Sequence, residues 1–286
     1  MVSWNRMEKC FCCGSTPVGV AYTVKSFPIV RCSYCGAGRT RLDARFDFTK
    51  YYTEAYFQGG VADGYADYLG SEQTLRPEFR RILAHLCRLN CTRGRLLEFG
   101  CAYGFLLREA EPLFEQVEGI ELSSDAVRFC RLYGLQVREG SVDEATLQGN
   151  YDVIVGLDVI EHVPDPQDTI RLITRHLNPG GLLLMTTGDW GSPLARVMGP
   201  RWRLMTPPQH LSFFTAKSMR LILESAGLRV LELSHPGKWV PLSLITYQLQ
   251  RLAGFKPRLL SVPGSWGLPM NLWDAMRVIA MKADPS

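Results

Sequence analysis

Short apolar runs alternate with amphipathic stretches from about residue 76 onward. The apolar runs have the length of strands, and the stretches between them repeat apolar residues at helical spacing. The predicted strands are 95–99, 117–122, 135–138, 151–157, 181–187, 228–233 and 272–281, and the predicted helices are 104–113, 124–133, 166–177 and 215–226. Strands and helices in this order form parallel βαβ units, so the pattern predicts an α/β fold with a doubly wound, Rossmann-like sheet. Such a sheet binds its ligand at the carboxyl ends of the strands.

The N-terminal segment is rich in cysteine, with five of the nine cysteines in the first 35 residues. Four of them form two C-x-x-C pairs, Cys10 with Cys13 and Cys32 with Cys35. The segment between the pairs is strand-like, so it can fold back and bring them together. Four thiolates then form the tetrahedral set that a structural zinc ion prefers. We therefore expect a zinc knuckle over residues 1–45, folded by its metal, with Cys12 left over.

The composition is that of an ordinary globular protein, with 46% hydrophobic and 21% charged residues in a chain of 286. The net charge of +4 is spread thinly and does not indicate nucleic acid as a partner. No apolar stretch approaches the roughly 18 residues of a membrane span, and the N-terminus lacks the apolar core of a signal peptide. We therefore expect a soluble, cytoplasmic protein whose clustered cysteines bind metal rather than form disulfides.

The first predicted strand of the sheet runs into the loop Glu98-Phe99-Gly100-Cys101-Ala102-Tyr103-Gly104. A dinucleotide fingerprint has the spacing G-x-G-x-x-G around a pyrophosphate, whereas this loop reads E-x-G-x-A-x-G. Glu98 would repel a pyrophosphate, but it can stabilise the ammonium of an amino-acid ligand. Glu121, at the end of the second strand, can accept hydrogen bonds from ribose hydroxyls. A cofactor with a ribose, an ammonium and no phosphate is S-adenosylmethionine, and an NAD-type dehydrogenase is the disfavoured alternative.

With these residues, the chain resembles class I methyltransferases, specifically the subgroup with an N-terminal zinc-binding segment found among sugar and natural-product methyltransferases. Besides the cysteine pairs and the glycine loop, the similar segments are Tyr51-Tyr52 with Tyr56, Asp158-Val159-Ile160-Glu161-His162-Val163-Pro164-Asp165-Pro166, and Pro207-Pro208-Gln209-His210-Leu211-Ser212-Phe213-Phe214. The resemblance implies a seven-stranded sheet with an antiparallel last strand. Ala102 departs from the middle glycine that is usual in the family, and we expect its methyl group to trim cofactor affinity.

The resemblance also implies where the residues of the cofactor pocket lie. Gly100, Ala102 and Gly104 shape the pocket, Glu98 faces the methionine amine, Glu121 with Leu122 holds the ribose, Ser141 and Val142 lie beside the adenine, and Asp158 borders the methionine part. The implied domains are a knuckle (1–45), an aromatic linker or lid (46–75) and a methyltransferase domain (76–286) with insertions at 188–214 and 235–270. In the linker, lid residues and simple packing are both open roles for the tyrosines at 51, 52 and 56.

Methyl transfer requires alignment of the acceptor with the methyl group and, for a hydroxyl or carbon acceptor, a base that removes a proton. His162 follows the fourth strand of the sheet, and His210 lies in an aromatic insertion after the fifth strand. Both are candidate catalytic bases. A structural role remains open for each, as a loop cap for His162 and as a buried hydrogen bond that holds the insertion for His210. Asp158, Glu161 and His162 also have a spacing that suits a divalent metal, which is a further alternative.

The expected function is transfer of a methyl group from S-adenosylmethionine to a small-molecule acceptor. O-methylation of a sugar, glycan precursor or secondary metabolite is favoured. C- or N-methylation of a nucleotide-sugar or natural product remains open, as does a non-catalytic module in which knuckle and pocket serve docking. The apolar segment 238–270 is open between an acceptor-side cap, the surface of a homodimer and a weak membrane contact.

Overall fold

A computed structural model describes residues 9–16, 18–43, 46, 68–242, 245–246, 249–250 and 267–283. The strands are β1 (Val18–Val24), β2 (Phe27–Cys32), β3 (Gly38–Thr40), β4 (Arg95–Phe99), β5 (Gln116–Glu121), β6 (Gln136–Glu139), β7 (Tyr151–Leu157), β8 (Leu177–Gly188), β9 (Ser212–Phe213), β10 (Leu228–Ser234), β11 (Lys238–Pro241), β12 (Gly267–Met270) and β13 (Ala275–Lys282). The helices are α1 (Glu72–Arg88), α2 (Phe105–Ala110), α3 (Ser124–Leu132), α4 (Pro166–Arg175), α5 (Pro193–Met198) and α6 (Ala216–Ser225), with 3₁₀ turns at Ile160–His162 and Gly199–Arg201. Within these ranges, every helix is too short or too polar to span a bilayer.

The central sheet has seven strands in the order β10-β13-β8-β7-β4-β5-β6. Strand β4 pairs in parallel with β5 on one side and with β7 on the other, and β6 and β8 extend the parallel part. Strand β13 runs antiparallel to both of its neighbours, β8 and β10. The predicted Rossmann-like sheet of seven strands with an antiparallel last strand is therefore confirmed.

The predicted start of the last strand was wrong by three residues. The strand begins at Ala275 because Trp273 has a φ of 55° and donates its N–H to the Asn271 side chain, 2.9 Å away. A residue in the left-handed region cannot continue an extended strand, so the chain turns before it enters the sheet. Strand β8 starts earlier than predicted, since Leu177 already pairs with Tyr151 of β7.

Helices cover both faces of the sheet. Successive side chains of each central strand point to opposite faces, so side chains on both faces are buried. On one face, Leu97, Ile154 and Leu183 pack with residues of α4 and α6. On the other face, the adjacent residues Leu96, Val153 and Leu182 pack with residues of α1, α2 and α3. This is the near-continuous apolar strand pattern of a parallel sheet that is covered on both sides.

A second sheet joins the N-terminal knuckle to the insertion that follows β8. Its strand order is β1-β2-β3-β9, and β9 belongs to that insertion. Strands β3 and β9 pair antiparallel, with Gly38 opposite Phe213. A Cβ atom at Gly38 would lie 2.0 Å from the ring of Trp190, so only glycine lets the indole pack on this strand. The knuckle is therefore built into the wall of the larger domain.

A buried carboxylate ties the amino end of the sheet together. Glu118 of β5 is 1% exposed and accepts hydrogen bonds from Arg95, Arg138 and the Tyr151 hydroxyl. Burial alone would raise the pKa of this carboxyl, but the two guanidinium groups outweigh it and hold the pKa below its usual range. Glu118 is therefore charged, and its charge is matched by two arginines.

We expect Glu118→Gln to lower the free energy of unfolding by about 2 kcal/mol, because it leaves two arginines beside an uncharged amide. The arginine side chains are 31% and 26% exposed, so water compensates for part of the loss. Urea denaturation at neutral pH measures the difference. The control is Glu144→Gln, which removes an exposed ion pair with Arg175 and should leave stability unchanged. Equal losses in both variants would contradict the role given to Glu118.

Candidate functional site

The loop after β4 turns sharply at the carboxyl edge of the sheet. Gly100, Ala102 and Gly104 all have positive φ, at 69°, 46° and 70°. The loop is tied to the next strand by the Gly100 N–H, which donates to the Ile120 carbonyl at 2.8 Å. A Cβ at Gly100 would fall 2.7 Å from a methyl group of Val159, so this position requires glycine. The predicted glycine loop thus lies directly against the segment that follows β7.

Ala102, which stands where the resemblance predicts a glycine, adopts the left-handed region with a φ of 46°. That conformation costs an L-residue about 1 kcal/mol. The Ala102 N–H donates to the Glu121 carboxylate at 2.8 Å, which helps to hold the conformation. The loop therefore keeps its shape despite the departure, while the expected effect on cofactor affinity stays a prediction.

Two carboxylates from adjacent strand ends are buried beside this loop. Glu121, 6% exposed, accepts hydrogen bonds from the N–H groups of Ala102 and Ser123, yet burial outweighs these bonds and raises its pKa. Glu98 is 4% exposed, and its Oε2 has no hydrogen-bond partner among the described residues. Burial, with contributions from Cys130 and Glu121, raises the pKa of Glu98 well above its usual range. Two buried acids held close together favour a cationic ligand.

These residues fit S-adenosylmethionine. Its ammonium and sulfonium carry the positive charge that would neutralise the buried acids Glu98 and Glu121. Each oxygen of the Glu121 carboxylate accepts one backbone N–H and retains a lone pair for a ribose hydroxyl. The orphaned oxygen of Glu98 is an acceptor of the kind that a methionine ammonium satisfies, directly or through water.

The other residues predicted at the cofactor surround the same strand ends. Leu122 directly follows β5, and the N–H of Gly140 donates to the Glu121 carbonyl at 2.9 Å. This bond places the loop with Ser141 and Val142 beside the end of β5. Ser141 is exposed and bonds to Asp143, whereas Val142 packs against the core. Their assignment to the adenine stays a prediction.

Asp158 lies in a constrained conformation just beyond β7. Its φ is 51°, and its side chain accepts a hydrogen bond from the Thr186 hydroxyl at 2.9 Å. Its N–H bonds to Thr186 as well. A non-glycine residue in the left-handed region at a strand end is typical of functional sites. The conformation sends the next residue, Val159, against Gly100, so the Asp158 turn adjoins the glycine loop.

The two candidate bases, His162 and His210, are brought together although they are far apart in sequence. Their ring centroids lie 4.7 Å apart. The Nδ1 of His210 lies 2.8 Å from the Leu204 carbonyl, and the Nδ1 of His162 lies 3.0 Å from the Gln209 carbonyl. A carbonyl can only accept, so Nδ1 carries the proton in both rings. In the neutral form, the lone pair of each ring is then on Nε2.

Burial keeps both histidines unprotonated. It lowers the pKa of His162 to about 4 and, together with the smaller effect of His162, that of His210 to about 3. The charge of Asp158 opposes both shifts, and Arg203 adds to the shift of His210. Both rings therefore act as hydrogen-bond acceptors across the ordinary pH range.

Glu161 completes this cluster. Donor atoms of Glu161, His162 and His210 all lie within 4.8 Å of one another. The sequence suggested a different set for a divalent metal, with Asp158 in place of His210. Asp158 instead accepts a hydrogen bond from Thr186 and acts on the histidines through its charge. Divalent metal binding at this cluster stays a prediction.

The insertion that carries His210 is fixed by a buried polar network that the sequence did not reveal. Asp274, 1% exposed, accepts hydrogen bonds from the Trp202 indole and from two nitrogens of Arg203, each at 2.9 Å. Asp274 precedes β13 and is 71 positions from Arg203. A single acid between predicted elements gives no sequence signal for such a pairing.

The other three histidines bond outside the cluster. His85 bonds to Glu232, His176 to the Gly149 carbonyl and His235 to Asp189.

The four predicted zinc ligands converge in the knuckle. The Sγ atoms of Cys10 and Cys35 are 3.5 Å apart, those of Cys13 and Cys32 are 3.7 Å apart, and all four lie within 4.8 Å of one another. A zinc ion at the usual Zn–S distance of about 2.3 Å has tetrahedral sulfur neighbours about 3.8 Å apart. The cysteines therefore fit a structural zinc. Cys12 is buried beside the cluster but is not part of this four-sulfur set.

Two predicted segments are not fully covered by the described residues. The tyrosines of the aromatic linker at 51, 52 and 56 lie outside the described residues. Of the apolar insertion, the described part includes β11 and β12, which form a separate two-stranded sheet.

Comparison with known proteins identifies similar sequences over the sheet domain. A family model described as a methyltransferase domain matches residues 72–233. The chain is 35% identical over 108 residues to a ubiquinone biosynthesis O-methyltransferase of Xanthomonas oryzae pv. oryzae, which covers 35% of this chain and 45% of that protein. It is 32% identical over 162 residues to the protein of the same name from Xanthomonas euvesicatoria pv. vesicatoria, with coverages of 51% and 67%. The chain spans about half the length of the curated relatives it matches.

Solved structures share the fold at low sequence identity. A chain from the complex between the Haloferax volcanii Trm112 methyltransferase activator and a putative methyltransferase has a TM-score of 0.55 at 15% identity, covering 84% of this chain and 100% of its own. A magnesium protoporphyrin IX methyltransferase from Synechocystis, with bound S-adenosylmethionine, has a TM-score of 0.51 at 13% identity, covering 85% and 100%. A putative sarcosine dimethylglycine methyltransferase from Galdieria sulphuraria has a TM-score of 0.51 at 16% identity, covering 73% and 86%.

We expect one zinc ion per chain in the purified protein, measured by elemental analysis after dialysis. Cys32→Ser removes one of the four converging thiolates and should abolish stoichiometric zinc. Cys12→Ser is the matched control, because it changes a buried cysteine outside the set, and it should retain the metal. Zinc loss in Cys12→Ser, or retention in Cys32→Ser, would mean that the ligand set is wrong.

Proposed function

The chain belongs to the methyltransferase-domain family of class I S-adenosylmethionine-dependent methyltransferases, and on that premise we propose that it methylates a hydroxyl group of a small-molecule acceptor, with His210 as the general base. One observation carries the proposal: a neutral histidine pair lies at the carboxyl edge of the sheet, beside the turn at Asp158 that adjoins the glycine loop. The relatives named as O-methyltransferases support oxygen as the acceptor atom. A sugar, glycan precursor or secondary metabolite is the proposed substrate class.

The chain's own residues divide the work between cofactor and acceptor. When bound, S-adenosylmethionine supplies a methyl group on a positively charged sulfonium. Glu98 and Glu121 orient the cofactor through its ammonium and its ribose. The Asp158 turn contacts the glycine loop through Val159 and leads directly into the turn that carries His162, so an acceptor beside His210 would be directed towards the methionine end of the pocket. Methyl transfer depends chiefly on this alignment and on the exclusion of water.

His210 accepts the hydroxyl proton at Nε2. Its Nδ1–H is fixed on the Leu204 carbonyl, which keeps the lone pair on Nε2 and holds the plane of the ring. The lowered pKa keeps the ring unprotonated before the reaction. The negative charge of Asp158 stabilises the imidazolium that forms when the proton arrives. His162 lies against this ring and supports its orientation.

Alternative activities differ in what they require of the site. C- or N-methylation uses the same cofactor pocket, and the acceptor alone would distinguish it. A non-catalytic docking module would have no need of two buried acids that favour a cation, so Glu98 and Glu121 weigh against it. A cytoplasmic location and a homodimer stay predictions.

We expect S-adenosylhomocysteine to bind the wild type and to bind Glu121→Gln at least tenfold more weakly, which corresponds to about 1.4 kcal/mol. The amide keeps the shape of the side chain but loses the charge and one of the acceptor oxygens that the ribose needs. Isothermal titration calorimetry measures the difference. Glu139→Gln is the control, because this acid also ends a parallel strand but is exposed and bonds to Ser124. Equal weakening in both variants would contradict the ribose assignment.

We expect His210→Ala to lower kcat with a hydroxylated acceptor by about 100-fold or more while leaving S-adenosylhomocysteine affinity unchanged. The measurement is transfer of a labelled methyl group to a panel of phenols and sugars. Because burial lowers the pKa of His210 to about 3, wild-type kcat/KM for the acceptor, measured at saturating S-adenosylmethionine so that Glu98 and Glu121 are occupied, should stay constant as the pH falls through 6.5 and decline only near pH 4, where the histidines begin to protonate.

The control for this variant is His85→Ala, whose ring pairs with Glu232 away from the cluster. Unchanged turnover in both His210→Ala and His162→Ala would exclude a histidine base. If a chelator removed activity without removing zinc, and magnesium restored it, the divalent-metal alternative would replace the base mechanism.

A further inference from the structure

The structure assigns the zinc knuckle a direct part in the acceptor site, and we propose that Thr40 of β3 is a positioning residue that holds His210 in place. This inference rests on the proposed role of His210 as the base. It adds a residue outside the sheet domain, from a segment that otherwise has only a structural role. The argument follows from two hydrogen bonds, the anchoring of the loop on either side of them, and the way the knuckle is held.

Thr40 clamps two consecutive carbonyl groups of the insertion. Its hydroxyl donates to the His210 carbonyl at 2.7 Å, and its N–H donates to the Leu211 carbonyl at 2.9 Å. The side chain is fully buried, so water cannot replace either bond. Threonine is stiff at χ1, which leaves little freedom for the hydroxyl to move away. The backbone of the candidate base is therefore held by a residue 170 positions away.

Further hydrogen bonds tie this loop to the second histidine. The Leu211 N–H donates to the Glu161 carbonyl at 2.8 Å, and the His210 N–H donates to the Thr206 carbonyl at 3.1 Å. Arg39, which precedes Thr40, donates to the carbonyl of Pro164, two residues after His162. Strand β3 thus contacts the backbone beside both histidines of the pair.

The four cysteines determine where β3 lies. Cys35 is three residues before the strand, and the Cys32 N–H donates to the Ala37 carbonyl at 2.8 Å. On the opposite side, the Thr215 hydroxyl donates to the Cys35 carbonyl at 2.7 Å and anchors the knuckle to the start of α6. The knuckle is therefore fixed to the body of the domain, and β3 projects from it onto the histidine loop.

Thr40→Val removes one contact at nearly constant volume. The backbone bond to Leu211 remains, but the His210 carbonyl loses its donor inside a buried site, where an unsatisfied carbonyl is costly. The loop then shifts to find another partner, and misplacement of a reacting group by about 1 Å can cost 100-fold in rate. We expect kcat to fall by about 10- to 100-fold, with KM for S-adenosylmethionine within about twofold of the wild type.

The experiment compares Thr40→Val, Thr40→Ser and Lys217→Ala in the zinc-loaded protein. Serine keeps the hydroxyl and should restore kcat. Lys217 also contacts the knuckle, through the Tyr34 carbonyl at 2.7 Å, but on the exposed side away from the histidines. Each variant is checked for zinc content and S-adenosylhomocysteine affinity. Nitrogen-15 NMR of the histidine rings gives a readout besides activity, with the His210 signal assigned from its alanine variant.

The expected result is a changed ring signal for His210 in Thr40→Val, with wild-type signals in Thr40→Ser and Lys217→Ala. An unchanged signal and unchanged kcat in Thr40→Val would overturn the proposal, and so would equal changes in Thr40→Val and Lys217→Ala. If Thr40→Val fails to fold, Thr40→Ala is the second variant, because it also lacks the hydroxyl, and it should change the His210 signal at constant zinc content. An unchanged His210 signal there would also overturn the proposal.

The NMR readout separates this inference from the proposed function. If His210→Ala retained full turnover, His210 would not be the base, yet a changed His210 signal in Thr40→Val would still establish the coupling between knuckle and loop. If the signal stayed constant while His210→Ala was inactive, the base would stand and the positioning role of Thr40 would fail.

Discussion

The parallel pairing of β4 with β5 on one side and β7 on the other is the constraint on which the site depends. Because the carboxyl ends of these strands lie side by side, residues at the strand ends become neighbours whatever their distance in sequence. Glu98 comes from β4, Glu121 from β5 and Asp158 from just beyond β7. The glycine loop can fill the gap between them only because it has no side chain where Val159 packs. A different strand order would separate all of these groups.

The resulting edge has two halves with different electrostatics. On the half formed by β4 and β5, where we propose the cofactor, burial above all, with smaller contributions from Cys130 and Glu121, raises the pKa of Glu98, so this half gains most from a cation. On the half beyond β7, where we propose the acceptor, burial keeps His162 and His210 neutral. The charge of Asp158 favours protonation of both histidines. In the proposed reaction, a cationic methyl donor would meet buried acids, and an acceptor that releases a proton would meet an unprotonated ring whose protonation Asp158 favours.

Local sequence patterns were sufficient for the parts of the fold that local forces determine. Apolar runs predicted the strands, the C-x-x-C spacing predicted the cysteine set that converges in the knuckle, and the acid before Gly100 indicated the cofactor. Contacts across long separations gave no such signal. Thr40 bonds to His210 across 170 positions, and Asp274 bonds to Arg203 across 71. Each contact is made by one side chain that belongs to no repeating pattern in the sequence. The start of the last strand was missed because the positive φ of Trp273 cannot be recognised from the apolar sequence around it.

The structural and catalytic roles considered for His210 are compatible, because the two ring nitrogens are separate groups. Nδ1 donates to the Leu204 carbonyl and holds the insertion, as the structural interpretation requires. That same bond confines the lone pair to Nε2, which is what a base requires. Burial costs little for the neutral ring, and the charge of Asp158 opposes its cost for the imidazolium that proton transfer creates. The backbone of the residue is held by Thr40 from the knuckle, and its ring is held by its own insertion. A histidine fixed at both points can accept a proton without moving, and holding its backbone is the part that we propose for the knuckle.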